Sequence, residues 1–263
     1  MRHDAVSLIS SRLRISKERF HQNYEIVGRA MIVREGSEFI RQDRSFAHLL
    51  LSSFKLWSVY GYRGVVDRER KPVVRLIDGI HTDVTHLEDG VIYRMDPEKV
   101  MFSKGNKNER HLLTKMAEPG ETVLDMFSGI GYFSIPISFR VKRVYACEIN
   151  PDSFHYLIVN IRLNGAKNVV PMLGDSSELG MKGIADRIIM GHFDSPKYLD
   201  NALRYLKERG KIHMHLLAKK RGYEKVLESY RSYDFVHEAK IRKVKSYSPS
   251  YDHVALDLEV IKH

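Results

Sequence analysis

From residue 100 onward the chain alternates two kinds of apolar pattern. Short, nearly continuous runs, "TVLDMF", "RVYACEI", "VVPMLGD", "RIIMG" and "KIHMHLLA", have the length and aliphatic content of buried strands. Between them lie amphipathic stretches with helical spacing: "NERHLLTKMA", "GYFSIPISFR", "PDSFHYLIVNIRLNG", "YLDNALRYLKERG" and "GYEKVLESYRSYD". Strands alternating with helices predict an α/β domain, a doubly wound sheet with helices on both faces. The last two runs, "FVHEAKIRKVKSYS" and "HVALDLEVIK", follow one another without a helix between them and predict a closing antiparallel hairpin.

Upstream the pattern changes. Residues 50–99 are rich in β-branched and aromatic residues, punctuated by Gly61, Gly64 and Gly79. Asp89-Gly90 between "VTHLE" and "VIYRM" predicts a tight hairpin. Residues 1–48, including "SRLRISKERFHQNYEIVGRAMIV", set Leu13, Phe20, Ile26 and Val27 among basic residues and predict basic amphipathic helices. The organisation expected is a small α+β N-terminal module over 1–99 that contacts nucleic acid, then a second domain over 100–263.

Composition narrows the field. At 43% hydrophobic and 29% charged the chain reads as a folded globular protein. No apolar run approaches the roughly 20 residues a membrane helix needs, and the charged start "MRHDAVSLIS" lacks a signal-peptide core. A cytoplasmic monomer that binds no membrane is expected. The single cysteine, Cys147, excludes an intrachain disulfide. No metal site is expected: His213 and His215 in "IHMHLL" share one strand face, where polar packing is the simpler reading. A net charge of +10 suits a polyanionic partner.

The turn "LDMFSGIGYFSIP" holds two glycines, Gly129 and Gly131. Neither a dinucleotide fingerprint nor a phosphate loop is present. A D-x-F-x-G-x-G turn, with Asp125, Phe127 and Gly129, fits a ligand without phosphate, and Asp125 can accept from an ammonium. Glu148 ends the next strand, where a carboxylate can accept both hydroxyls of a ribose. Asp175 ends the third, placed for an exocyclic adenine amine. Three acids at three successive strand ends describe an adenosine bearing a charged amino acid, S-adenosylmethionine.

The motifs "FSKGNKNERHLL", "DMFSGIGYFSIP", "YACEINPDSFHYLIVNIRLNG", "GDSSELG", "ADRIIMGH" and "KVKSYSPSYDHVALDLEV" together resemble the archaeal and eukaryotic enzymes that modify the purine 3′ of the tRNA anticodon. The resemblance covers about residues 80–263 and implies a class I methyltransferase-like, Rossmann-like fold. It implies that Ser103, Arg110, Glu148, Asp175 and Ser176 contact the cofactor; a guanidinium such as Arg110 can hold a carboxylate bidentately. One branch of the family methylates N1 of guanine. The other, the wybutosine branch, transfers the 3-amino-3-carboxypropyl group to the tricyclic base made from that guanine, 4-demethylwyosine.

The branches differ at the end of the fourth strand. The methylating branch carries an Asn-Pro-Pro-like tetrapeptide there. This chain has Met190-Gly191-His192, the pattern of the other branch. A bare glycine is expected to leave room for a larger base, and His192 is the candidate to accept the proton lost on alkylation or to hydrogen-bond the base. All carbons on the sulfonium are electrophilic, so aim decides which one reacts. The anticodon loop is expected against Lys243, Lys245, Tyr247 and Tyr251, on a basic strand and loop at the ligand-bearing edge. Lys219, Lys220 and Arg221 follow the fifth strand on the same edge. The alternatives are a guanine N1-methyltransferase with an altered tetrapeptide, and an RNA-binding protein that has lost catalysis.

Overall fold

The computed structural model describes residues 2–14, 16–18, 23–34, 44–67, 70–101 and 106–262. The chain divides into two compact units, residues 1–104 and 105–263.

In the first unit, helix α1 (Arg2–Leu13) precedes a hairpin of β1 (Tyr24–Val27) and β2 (Ala30–Arg34). Helix α2 (Arg44–Phe54) is followed by β3 (Ser58–Val66) and β4 (Lys71–Gly79), and the sheet order is β1-β2-β3-β4. The helices cover it through Val6, Ile9, Leu50 and Phe54, packed on Met31, Val33 and Val59. A separate hairpin joins β5 (Val84–Glu88) to β6 (Val91–Met95). Its Asp89 and Gly90 have φ of 49° and 83°, the backbone that a two-residue hairpin turn requires.

The expectation of helices throughout residues 1–48 is corrected. Residues 24–34 are strands, because β-branched Ile26, Val27, Ile32 and Val33 flank a tight Gly28-Arg29 turn with Val27 paired to Ala30. Gly28 sits at φ +58°, where a Cβ would meet the Thr85 carbonyl oxygen at 2.3 Å. The parts of that expectation at residues 19–22 and 35–43 lie outside the described residues.

The second unit is a seven-stranded sheet. Its elements are α3 (Lys107–Met116), β7 (Thr122–Asp125), α4 (Ser134–Ser138), β8 (Arg143–Glu148), α5 (Pro151–Leu163), β9 (Val169–Leu173) and β10 (Ala185–Met190). There follow α6 (Leu199–Tyr205), β11 (Leu206–Lys219), α7 (Tyr223–Arg231), β12 (Val236–Ser246) and β13 (Tyr251–Ile261). The strand order is β12-β13-β11-β10-β7-β8-β9. β9, β8, β7, β10 and β11 run parallel, and β13 inserts antiparallel between β11 and β12. The class I methyltransferase-like architecture and the closing hairpin are both present.

The central strands are buried on both faces, which explains their continuous apolar runs. Ile188, Ile189 and Met190 are fully enclosed, and each such side chain contributes about 1.5–3 kcal/mol relative to exposure. Two helices are markedly shorter than their patterns predict, and "GYFSIPISFR" is helical only over Ser134–Ser138. "YLDNALRYLKERG" stops at Tyr205, and Leu206 already pairs with Ala185 as strand. Gly210 permits that approach, since a Cβ there would lie 2.6 Å from the Asp186 carbonyl oxygen.

Candidate functional site

In a doubly wound sheet, ligands bind beyond the carboxyl ends of the strands where the strand order reverses. Here the reversal falls between β7 and β10. The Met126 N–H donates to the Ile189 carbonyl at 2.9 Å, so the glycine turn after β7 and Met190-Gly191-His192 leave the sheet side by side. Phe127 links them: its ring centroid is 5.5 Å from that of His192 and 5.2 Å, edge to face, from that of Tyr198.

The turn holds its shape through glycine and one carboxylate. Gly131 sits at φ +98°, and a Cβ on it would lie 2.5 Å from Ile135 Cδ1. The Gly129 N–H donates to Glu148 Oε2 at 2.7 Å, and the Asn150 N–H donates to Oε1 at 2.8 Å. Each carboxylate oxygen keeps a second lone-pair direction, so Glu148 can brace the turn and still accept from a ligand. On the adjacent strand, the Gly174 N–H donates to the Glu148 carbonyl at 2.9 Å. Asp175 comes next, half-buried, with Oδ1 accepting from the Ser177 N–H and Oγ at 2.9 and 2.8 Å. Ser176 beside it is buried.

Asp125 is placed differently from expectation. It is shut off from solvent; Ser134 Oγ donates to Oδ2 at 2.7 Å and the Phe127 N–H to Oδ1 at 3.3 Å. Burial pushes its pKa up to about 7. The expected acceptor for an ammonium is thus a brace between the turn and α4. Arg110 is buried on α3, with its guanidinium 5.9 Å from the ring centre of Tyr132, two residues beyond Ile130 in the turn. Ser103 lies outside the described residues.

At the end of β10, a Cβ on Gly191 would lie 3.0 Å from the Phe133 ring. The glycine makes room for Phe133, not for open space as expected. His192 is partly exposed, and its Nδ1 accepts the Asp194 N–H at 3.1 Å. A neutral imidazole held this way carries its proton on Nε2 and presents a donor. Ser195 Oγ fixes the bend by sharing its single proton between the Met190 carbonyl, at 2.8 Å, and the His192 carbonyl.

The end of β12 and the loop after it lie at this same edge, because β12 and β11 both run antiparallel to β13. Tyr247 is 56% and Tyr251 38% exposed. The Tyr247 ring meets Phe193, next to His192, at 5.3 Å between centroids. The basic strand is not free of acids in three dimensions. Lys240 pairs with Glu238, Lys243 with Asp252 at 3.1 Å, and Arg242 with Glu109 and Asp257.

A line of buried polar groups includes His213 and His215, whose polar packing matches the expectation, and Arg187 and its partners, which the sequence reading missed. Arg187, with no exposed surface, donates to Glu121 Oε1 and Oε2, each at 2.7 Å, to the Met116 carbonyl, and to His213. His213 Nδ1 lies 2.5 Å from Asp257 Oδ1. Burial and the Arg187 charge hold the His213 pKa well below the usual value, so the ring is a neutral link, donating to Asp257 and accepting from Arg187. His215 hydrogen-bonds His253 at 3.1 Å, and burial holds its pKa well down too. One signal was available: Arg187 is a charge at the head of an apolar strand. Among the described residues no group of three or more His, Cys, Asp or Glu is arranged to hold a metal ion. No helix there is long and apolar enough to cross a membrane.

Comparison with known proteins agrees with this geometry. The TRM5/TYW2 methyltransferase domain matches residues 84–242. The tRNA(Phe) (4-demethylwyosine(37)-C(7)) aminocarboxypropyltransferase of Methanocaldococcus jannaschii is 40% identical over 197 residues, covering 72% of this chain and 79% of that protein. The tRNA (guanine(37)-N(1))-methyltransferase Trm5b of Pyrococcus abyssi is 32% identical over 251 residues, 90% of this chain and 74% of that one. The crystal structure of M. jannaschii TYW2 in complex with AdoMet superposes with a TM-score of 0.71 at 30% identity, covering 92% of this chain and all of that one. The sheet order, the glycine turn and these likenesses converge: the chain belongs to the TRM5/TYW2 methyltransferase-domain family.

Proposed function

We propose that this protein transfers the 3-amino-3-carboxypropyl group of S-adenosylmethionine to the 4-demethylwyosine base 3′ of the anticodon of tRNA(Phe), releasing methylthioadenosine. The observation that carries the reading is Met190-Gly191-His192 at the switch point, where the methylating branch has an Asn-Pro-Pro-like tetrapeptide. The 40% identity to an aminocarboxypropyltransferase supports it.

The donor set fits the cofactor. Glu148 and Asp175, on adjacent strand ends, offer acceptors for a ribose and an adenine amine. Arg110, above Tyr132, offers a bidentate partner for the amino-acid carboxylate. Phe127 offers an apolar face between the turn and His192. The bound cofactor supplies an electrophilic methylene carbon beside a sulfonium leaving group. In the transfer, the base carbon forms a bond to that methylene, the carbon–sulfur bond breaks, and the base carbon loses its proton to water. What remains for the chain is aim: Arg110 fixes one end of the amino-acid arm, Glu148 the ribose, and the arm between them is presented to the base.

His192 acts here as a hydrogen-bond donor through Nε2, since Nδ1 is engaged by the Asp194 N–H. The base approaches from the His192 and Tyr247 side, because Phe133 closes the Gly191 side. Tyr247 and Tyr251 are read as stacking surfaces for unpaired loop bases, and Lys243 and Lys245 as phosphate contacts. The N-terminal unit is read as a further tRNA grip, on a protein acting as a monomer in the cytoplasm.

Methylation of guanine N1 is the second reading, favoured by the 32% identity to Trm5b across 90% of the chain. Product analysis decides between them. Incubation with tRNA(Phe) bearing 4-demethylwyosine should add a four-carbon amino-acid arm and release methylthioadenosine. A methyl-sized mass gain on a guanine-bearing transcript, with S-adenosylhomocysteine released, would replace the first reading by the second.

A further inference from the structure

The reaction as derived leaves one buried ion cluster unused. Glu109 of α3 is 4% exposed, yet its carboxylate is bonded to Arg242 of β12. The same guanidinium holds Asp257 of β13. The neighbours in sequence give this pairing its interest. Glu109 directly precedes Arg110, the partner assigned to the cofactor carboxylate. Arg242 directly precedes Lys243, on the strand that delivers Lys245 and Tyr247 to the RNA-facing edge. One bridge therefore joins the element that holds the cofactor's amino-acid end to the element that meets RNA.

A buried ion pair contributes little net stability compared with apolar packing, and its better-attested service is to fix one arrangement. Here that arrangement is the rotation of α3 about its axis. Successive residues on a helix are separated by about 100°, so pinning Glu109 to the sheet turns Arg110 toward Tyr132. Asn106, at the start of the helix, makes no side-chain capping bond. His215 Nε2, 3.9 Å from the Glu109 carboxylate, and Arg242 Nε have no hydrogen-bond partner among the described residues. Among the described residues, one guanidinium nitrogen of Arg242 donates to the Glu109 carboxylate while the other meets Asp257.

We propose that the Glu109–Arg242 bridge is a positioning device that couples the two ligands. Engagement of RNA by the β12 end holds β12 and α3 in the arrangement that presents Arg110, so RNA tightens binding of a cofactor carrying the amino-acid carboxylate. By reciprocity the cofactor tightens RNA binding by the same factor. Glu109 and Arg242 touch neither ligand and act through Arg110 and the loop. The inference rests on the proposed function for the identity of both ligands.

The test uses two probes that transfer nothing. S-adenosylhomocysteine carries the amino-acid arm; methylthioadenosine lacks it. Affinity for each is measured by calorimetry with and without saturating tRNA(Phe) transcript. In the wild type, tRNA should tighten S-adenosylhomocysteine at least about fivefold, the lower end of usual coupling, and leave methylthioadenosine unchanged within about twofold. Arg242→Gln and Glu109→Gln should abolish the enhancement while keeping methylthioadenosine affinity and a cooperative melt. Enhancement that survives in folded variants overturns the coupling. So does equal enhancement of both probes in the wild type, a comparison that stands even where the variants do not fold. Wild type that binds tRNA and cofactor with no mutual effect overturns the inference alone. Wild type that binds no tRNA overturns the proposed function together with it.

Discussion

The Gly129 N–H donates to Glu148 Oε2 at 2.7 Å, so one carboxylate both braces the cofactor turn and ends the neighbouring strand. Glu148→Ala should weaken S-adenosylmethionine binding at least about tenfold, because it leaves ribose hydroxyls and two backbone donors without acceptors. Glu148→Gln, which keeps one acceptor oxygen, should lose less. Calorimetric titration reads both; unchanged affinity in the alanine variant would put the ribose elsewhere.

Gly131→Ala should destabilise the second unit by about 2 kcal/mol or more, from a left-handed backbone and a Cβ 2.5 Å from Ile135. Gly120→Ala, with no neighbour within 4 Å, is the control and should be near neutral. Urea unfolding of the two variants side by side makes the comparison.

Arg187→Met should cost about 3–5 kcal/mol, since it strands the buried Glu121 carboxylate and the His213 ring. Replacing Glu121 by Met as well should recover most of that loss. Denaturant midpoints read the cycle, and a single variant within about 1 kcal/mol of wild type would contradict the burial argument.

Asp125 sets a pH dependence. Its carboxyl titrates near 3.9 in an unfolded chain and at about 7 when buried. The folded state binds that proton more tightly. This contribution is therefore complete below about pH 4, falls as pH rises through the window up to about 7, and is level above it. The slope reaches about 1.4 kcal/mol per pH unit at most. Asp125→Asn, neutral throughout, should lack this slope. Unfolding free energies of both proteins at pH 5, 6, 7 and 8 test it, and parallel curves would sink it.

Tyr247→Ala should weaken tRNA binding about fivefold or more, the usual loss for one stacked base, with RNA-free cofactor affinity unchanged. Lys243→Ala should cost less, because Asp252 already holds that ammonium. Filter binding at two salt concentrations separates the two: the lysine effect should shrink at high salt, the tyrosine effect should not.

The alternation of runs after residue 100 carried the fold, because strands buried on both faces write continuous apolar stretches and helices write a spaced pattern. The Asp89-Gly90 turn was legible for the same local reason. Residues 24–34 were not, since basic neighbours masked a β-branched hairpin whose stability comes from pairing with β3, a partner not adjacent in sequence. At the site, the strand-end positions of Glu148 and Asp175 were legible because strand ends are local features. The inward role of Asp125 depended on Ser134, nine residues on. The buried partners of Arg187 and Arg242 were invisible for a related reason: Glu121, His213, Glu109 and Asp257 meet only once the sheet assembles.

β13 occupies an interior place in the sheet although it is made after its neighbours β11 and β12. During synthesis β12 therefore emerges with no strand to pair with, and the long flank of β11 stays open until the following segment leaves the ribosome. A chain cut short after Ser246 would leave the eleven residues Arg209–Lys219 of β11 unpaired on that flank, an invitation to sticking between nascent copies. Closure of that flank is the event that turns a growing polypeptide into a finished enzyme.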